Sequence, residues 1–223
     1  MKRVFCLFVA AFCLIFSARA QAEGFYLAPK FLMSIQNTGP VSRSASLGGV
    51  GIDTYSQFTL GGGLAAGYDF WPQQMIPLRV EIEGALRGNS ERSWSDYGIF
   101  AKEVKGVWNN STLFGNVFWD FHNDTSLTPY IGGGLGIAFN YTGYDLTLNN
   151  GDKLSMDDRF ANFAWNAGAG VSFSVNETLA LDASYRFVGL GYNEVSTTIN
   201  GRKYEIGNEP YNNEFMLGMR LSF

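Results

Sequence analysis

Residues 213–223, with the sequence NEFMLGMRLSF, decide the fold class that the rest of the chain has to fit. From position 215 onward, every second residue is apolar: Phe215, Leu217, Met219, Leu221 and Phe223. The alternate positions include the carboxylate of Glu214 and the guanidinium of Arg220. Because successive side chains of a β-strand point to opposite faces, this strand has one apolar and one polar face. The pattern is typical of a membrane-crossing barrel strand, and it also fits an amphipathic strand of a soluble sheet.

The same alternation recurs in seven other segments. They cover residues 24–35, 57–70, 78–88, a segment that ends at position 121, and residues 128–140, 162–174 and 178–190. In the fourth segment Phe114 and Phe118 fall on the polar parity, so its register stays open, and its start could be as early as Val104. The sequence therefore predicts an all-β chain of eight strands.

The connections between these strands alternate strictly in length. Short ones cover residues 71–77, 122–127 and 175–177, and long polar ones cover 36–56, 89–110, 141–161 and 191–210. Outer-membrane barrels combine an even number of antiparallel strands with short periplasmic turns and longer extracellular loops. The sequence therefore predicts an eight-stranded antiparallel up-and-down transmembrane β-barrel that displays four loops.

The charged residues of the strands share the parity that a membrane barrel turns toward its lumen. This predicted network consists of Lys30, Asp69, Arg79, Glu81, Glu83, Arg87, Asp120, Asp182, Arg186, Glu214 and Arg220. Five positive and six negative charges nearly balance, as a sealed lumen requires, because an unpaired buried charge is costly. The opposite parity carries no charge, as lipid would require, since Arg or Lys at mid-bilayer costs about 2–4 kcal/mol. A secreted lipocalin-like carrier would turn the same parities the other way round.

Glycines lie mostly on the inward parity. They are Gly61, Gly63, Gly67, Gly132, Gly134, Gly136, Gly168 and Gly170. An eight-stranded barrel is just wide enough inside for side chains, so these glycines make room for long Arg, Glu and Tyr residues. A lumen filled in this way argues against an open pore, although a narrow porin-like channel remains an alternative.

The first 22 residues have the pattern of a secretory signal peptide. Lys2 and Arg3 precede an apolar run, and small residues set possible cleavage sites at Ala20 or Ala22. Cys6 and Cys13 both lie in this segment, so we expect the barrel domain, residues 23–223, to contain no disulfide. Without the segment, 13 basic residues face 20 acidic ones, which argues against nucleic-acid binding.

Several motifs carry a resemblance to a known family. PYIGGGLG at 129–136, WNAGAGV at 165–171, YRF at 185–187 and the final LSF are similar to the opacity-type small outer-membrane β-barrels and to the membrane domain of outer-membrane protein A. The resemblance implies a monomer in the outer membrane of a Gram-negative bacterium, in contact with outer-membrane lipid and lipopolysaccharide. It also implies that Phe223 is the signal read by the barrel-assembly machinery. Known members act as surface antigens, adhesins, envelope stabilisers or minor porins.

The sequence offers little for catalysis or metal binding. His122 is the only histidine and lies in a predicted periplasmic turn, so we expect no enzyme and no cofactor. Asp157 and Asp158 lack the spacing of a calcium loop. Basic pairs at positions 102/105 and 202/203 could contact lipopolysaccharide phosphates or host glycans, or be ordinary loop charge. The sequence favours a non-enzymatic surface barrel whose loops contact host surface molecules, supporting adhesion, immune exposure or envelope integrity.

Overall fold

A computed structural model describes residues 23–43, 54–97, 101–148, 153–199 and 202–223. The predicted signal peptide, with its cysteines and both cleavage sites, lies outside this part of the chain. The elements in order are β1 Phe25–Asn37, β2 Val41–Arg43, β3 Ser56–Asp69, α1 Trp71–Gln74, β4 Leu78–Arg87, β5 Ser90–Tyr97, β6 Ala101–Asp120, β7 Leu127–Leu148, β8 Lys153–Ser174, β9 Leu179–Gly189, β10 Asn193–Ile199, β11 Arg202–Asn208 and β12 Tyr211–Ser222. No helix in the described ranges has the length and apolar character needed to cross a membrane.

Eight of these strands form a closed antiparallel barrel. The ring runs β1, β3, β4, β6, β7, β8, β9, β12, and β12 pairs back to β1. Strand β5 pairs with the first half of β6, above the point where β4 ends. Strands β10, β11 and β2 form a separate three-stranded sheet. The predicted eight-stranded barrel is confirmed.

The apolar parity faces outward around the whole ring. Outward residues with more than half of their surface exposed include Leu64 at 55 %, Ile82 at 67 %, Leu135 at 64 % and Phe163 at 65 %. The open register of the fourth predicted strand is now fixed, because Phe114 is fully buried inside. Its first residue, Ala101, lies before Val104. This arrangement is the inverse of a soluble ligand-binding barrel, whose apolar side chains line the cavity.

The outward apolar surface forms a band of membrane thickness. On β7 it runs from Pro129 to Phe139, about 34 Å along the strand at about 3.4 Å per residue. With the strand tilt of about 35–45° usual in such barrels, this gives roughly 25 Å along the axis. Aromatic pairs mark both edges. Phe25 packs edge-on against Tyr68 near one edge, and Phe187 stacks on Tyr211 near the other.

The two ends of the barrel differ. At the turn end, three short connections join β3 to β4, β6 to β7 and β8 to β9. At the opposite end, which we call the ribbon end, paired strands continue beyond the apolar band as ribbons. The β7–β8 ribbon extends to the pair Thr147 and Lys153.

The prediction that residues 89–110, 141–161 and 191–210 form loops is therefore wrong for most of their length. These ranges contain β5, the start of β6, the end of β7, the start of β8, and β10 and β11. Beyond the band the outward face of a strand meets water instead of lipid, so the apolar alternation fades while the backbone hydrogen bonds continue. In the first long connection, residues 44–53 lie outside the described ranges.

Candidate functional site

Two buried carboxylates tie together the walls of the lumen at its centre. Glu83 on β4 accepts hydrogen bonds from Lys30 Nζ and Arg186 Nη1, both at 2.6 Å. Glu214 on β12 accepts one from Arg186 Nε at 2.8 Å and others from Arg87. Strands β4 and β9 lie on opposite sides of the ring, so Arg186 and Glu83 span the lumen.

Glu81 extends this central group toward the turn end. Its Oε1 lies 2.5 Å from Lys30 Nζ, and its Oε2 accepts a hydrogen bond from the Tyr26 hydroxyl at 3.2 Å. Asn116 Nδ2 donates to Glu81 Oε1 at 3.2 Å, and Asn116 Oδ1 in turn accepts from Asn166 at 2.9 Å. The carboxylate therefore has hydrogen-bonded partners on both oxygens, which offsets the cost of its burial.

A second charged group lies nearer the turn end. Arg79 binds Asp120 with two parallel hydrogen bonds, of 2.6 Å and 2.8 Å. Its guanidinium carbon lies 5.0 Å from the ring centroid of Phe118 and 4.8 Å from that of Tyr130. This combination of a bidentate carboxylate and two aromatic faces is well suited to holding a buried arginine.

The remaining predicted lumen residues make longer ion pairs than the central group or none. Arg220 Nε lies 4.0 Å from Asp182 Oδ2, and Arg220 Nη2 donates to Ser172 Oγ at 2.7 Å. Asp69 does not join the central group, because its Oδ1 accepts a hydrogen bond from Trp71 N at 2.9 Å. That bond starts the short helix α1, so Asp69 stabilises a turn at the mouth of the barrel.

Inward glycines provide the space that these long side chains occupy. A Cβ atom at Gly168 would lie 2.7 Å from the Arg186 Cβ, and one at Gly67 would lie 2.4 Å from the Tyr26 ring. Both distances are far below ordinary van der Waals contact, so any larger residue would displace a member of the charged network.

Sequence reasoning missed a layer of amides that closes the ribbon end of the lumen. Asn110 Nδ2 donates to Gln36 Oε1 at 2.9 Å, and Gln36 Nε2 donates to Thr59 Oγ1 at 2.7 Å. The Asn212 amide lies 3.0 Å from Asn110 Oδ1, and Asn140 Nδ2 donates to Asn193 Oδ1 at 3.1 Å. These amide side chains share the parity of the inward strand residues, and that could have predicted their position in the lumen. They were missed because they fell in or beside ranges assigned to loops.

The lumen is packed rather than open. Two small apolar clusters lie inside the barrel, one around Phe114, Val188 and Leu190 and another around Leu32 and Met216, which pair between the rows of Lys30 and Glu214. A cavity of about 40 Å³ adjoins the charged centre, and another of about 20 Å³ lies within the amide layer. Each has room for a few water molecules, which is far less than a solute path needs.

The single histidine lies outside the lumen at the turn end. The His122 ring stacks on Trp71, with centroids 3.8 Å apart and planes at 13°. Burial against this ring lowers the pKa of His122 below its ordinary value, although the nearby Asp120 and Asp69 act in the opposite direction. The described residues contain no group of three or more side chains suited to holding a metal ion.

Other candidate residues lie on the ribbons. Asp157 and Asp158 are exposed on β8, paired with Gly143 and Thr142 of β7. Lys102 and Lys105 are exposed on β6, and Lys105 Nζ forms an ion pair of 3.2 Å with Glu91 on β5. The pair at 202/203 belongs to β11.

Comparisons with known proteins agree with this architecture. The profile of the outer membrane protein β-barrel domain matches residues 6–223. The outer membrane protein PagN of Salmonella typhimurium is 28% identical over 239 residues, covering 100% of both chains.

Two solved structures share the fold. The outer membrane protein AlkL, solved by solid-state NMR in lipid bilayers, has a TM-score of 0.53 at 14% identity, covering 92% of this chain and 93% of its own. The outer membrane protease OmpT of Escherichia coli has a TM-score of 0.52 at 8% identity, covering 91% and 98%. With its apolar side outward and its charges inside, this chain belongs to the outer membrane protein β-barrel family and is located in the bacterial outer membrane.

Proposed function

We propose that this protein is a non-enzymatic surface barrel whose ribbons contact molecules on other cells. The observation that carries this proposal is the contrast between the two parts of the structure. The lumen is filled by ion pairs that join opposite walls, whereas β6, β7 and β8 continue well beyond the apolar band. A closed barrel whose walls are joined by ion pairs is better suited to holding the ribbons in place than to passing solutes.

The ribbon end is the outward-facing end in this proposal. Outer-membrane barrels keep short turns on the periplasmic side and longer connections outside. Residues 141–148 of β7 add about 27 Å of strand beyond the band at about 3.4 Å per residue. Paired with β6 and β8, this strand forms part of a rigid sheet, and rigid sheets bind with less loss of conformational entropy than free loops.

The absence of enzymatic activity is likewise proposed. The similarity to a protease reflects the barrel fold alone at 8% identity. The single histidine stacks on Trp71 at the turn end, which this proposal assigns to the periplasm. A histidine there could not act on a substrate at the outer surface.

Protease treatment of intact cells that express the protein tests the orientation. Mapped fragments should come from cuts within residues 141–161 and 191–210, and the turn around Trp71 should stay intact until the cells are opened. Cuts at the turns in intact cells would contradict the proposal.

Contact with other cells is tested by trimming one ribbon. A variant with residues 142–158 replaced by Asn-Gly, which joins the ladder partners Tyr141 and Arg159 by a two-residue turn, should still fold, as judged by faster gel migration before boiling than after. In nanodiscs, it should bind cultured epithelial cells several-fold less than the full protein. A full protein that does not bind such cells above empty nanodiscs would contradict adhesion and leave a purely structural role in the envelope.

A further inference from the structure

An open apolar cleft of about 530 Å³ lies on the lipid-facing wall near the turn end, across β1, β3, β4 and β6. At its centre is Ile82, whose ladder partners on the two neighbouring strands are Ala66 and Gly115. These two residues are too small to reach as far out as Ile82, so the wall is hollow on both sides of that side chain. The volume of the cleft is in the range typical of ligand sites.

Three aromatic rings mark the edge of the cleft toward the turns. Phe25 and Tyr68, which line the cleft, pack edge-on with their ring centroids 4.9 Å apart. Tyr68 in turn packs edge-on against Phe70, with centroids 4.8 Å apart. Because aromatic girdles of barrels lie at the level of the lipid head groups, a lipid whose acyl chain occupies the cleft places its head group beside these rings.

Two polar side chains lie next to the rings, on the side of the turns. The Tyr68 hydroxyl donates to Gln73 Oε1 at 2.9 Å, which leaves the Gln73 amide nitrogen as a hydrogen-bond donor. Glu23 is exposed and precedes Gly24, whose φ of +102° turns the chain. A Cβ atom at Gly24 would lie 3.0 Å from the Tyr68 ring, so the chain that carries Glu23 passes close to this ring.

The charges of the turn end favour one class of head group. In the described turns and in the two residues before β1, the acidic side chains are Glu23, Asp124 and Glu177, all of them exposed, and neither Lys nor Arg occurs. Carboxylates repel an anionic head group such as that of phosphatidylglycerol. The ammonium of an ethanolamine head group, in contrast, forms a charge-assisted hydrogen bond with a carboxylate.

We infer that this cleft binds a phospholipid whose head group carries a primary ammonium, as in phosphatidylethanolamine. One acyl chain lies in the cleft beside Ile82, the Gln73 amide donates to the phosphate, and the Glu23 carboxylate binds the ammonium. The site is in the leaflet nearer the turns. Only the naming of this leaflet as periplasmic rests on the proposed orientation of the barrel.

Native mass spectrometry of the purified mature protein in detergent counts the lipids that it retains. With phosphatidylethanolamine and phosphatidylglycerol of identical acyl chains, we expect one saturable site that prefers the ethanolamine lipid about fivefold, as an exposed ion pair allows. Glu23→Gln should abolish this preference. Glu177→Gln is the matched control, because it removes the same charge from the β8–β9 turn on the opposite side of the barrel and should keep the preference.

The acyl-chain part of the site is tested separately by filling the cleft. A Cβ atom at Gly115 would meet only Leu135 O, at 3.9 Å, so Gly115→Leu fits without strain. It should weaken the binding of both lipids several-fold and leave their ratio unchanged. Ala183→Leu, on the lipid-facing side of β9 opposite the cleft, is the matched control and should bind as the unchanged protein does. Gel migration before and after boiling verifies folding of each variant.

Four results would each overturn the site. They are equal binding of the two lipids, a preference that survives Glu23→Gln, equal effects of Glu23→Gln and Glu177→Gln, and undiminished binding by Gly115→Leu. None of these measurements depends on which end of the barrel faces outward. Their failure is therefore distinguishable from failure of the orientation, which protease mapping on intact cells tests.

Discussion

Glu83 and Arg186 meet across the lumen at 2.6 Å, although they lie 103 residues apart in sequence and on opposite walls of the barrel. Arg186 also binds Glu214, so a single guanidinium joins two carboxylates from different strands. All three side chains are at most 4% exposed. The interaction links β4, β9 and β12 through the interior, in addition to the hydrogen bonds between neighbouring strands.

Removing this guanidinium should destabilise the barrel strongly. Arg186→Ala leaves two buried carboxylates short of a partner, and breaking a buried pair in this way costs about 3–5 kcal/mol. Lys105→Ala removes an exposed pair and should cost less than about 1 kcal/mol. Urea unfolding in detergent, followed by tryptophan fluorescence, measures both. Equal and small losses would mean that the lumen carboxylates are solvated.

Two glycines should respond in opposite ways to the same substitution. A Cβ atom at Gly136 would lie 2.0 Å from the backbone oxygen of Leu113, whereas one at Gly84 meets nothing within 4 Å. We expect Gly136→Ala to cost about 1–3 kcal/mol by overpacking. Gly84→Ala should be neutral or stabilise by up to about 1 kcal/mol, since alanine loses less conformational entropy. A stable Gly136→Ala barrel, measured by the same unfolding method, would contradict the close packing of this wall.

The apolar band can be located with arginine. Val117 and Val107 face outward on the same strand, but Val117 lies within the band and Val107 lies beyond its ribbon-end edge. Val117→Arg should lower the unfolding free energy in lipid bilayers by about 2–4 kcal/mol, and Val107→Arg by no more than about 1 kcal/mol. A larger loss for Val107→Arg than for Val117→Arg would mean that lipid surrounds Val107 and that the apolar band is placed wrongly.

Stability should depend on pH through the only histidine. Its pKa is lowered in the folded state, so the unfolded chain binds this proton more readily. The contribution of His122 is therefore complete above the unfolded value of about 6.5 and is lost as pH falls through it toward the folded pKa. Unfolding at pH 7.5 and pH 5.5 should show this loss, and His122→Phe should reduce it while keeping the ring stack. An unchanged slope in the variant would assign the effect to other groups.

The lumen should not conduct ions steadily. Its cavities of about 40 Å³ and 20 Å³ have room for only a few waters and are separated by packed side chains such as Phe114. Planar bilayers with the purified protein should show no regular single-channel steps. Reproducible steps from folded, monodisperse protein would favour the porin-like alternative.

Much of the fold followed from the sequence because the bilayer imposes a strict period of two. Within the band, neighbouring residues such as Ile82 and Glu83 face lipid and the lumen in turn. Their alternation along the sequence therefore shows that the segment is a strand and which of its faces is outward. Beyond the band the same reasoning failed. Thr142 and Tyr144 are buried in a continuing strand, but that stretch was predicted as loop because nothing apolar faced lipid there.

The sequence by itself determined that eight alternating strands close into a barrel, and which parity carries the charges, because lipid excludes charge from one face. Only the tertiary structure decided which charges meet. Lys30 and Arg186 converge on Glu83, while Asp69 at the end of β3 accepts a hydrogen bond from the backbone of Trp71. The pairing depends on strand register and on the width of the closed ring, and both arise only when strands distant in sequence are hydrogen-bonded side by side.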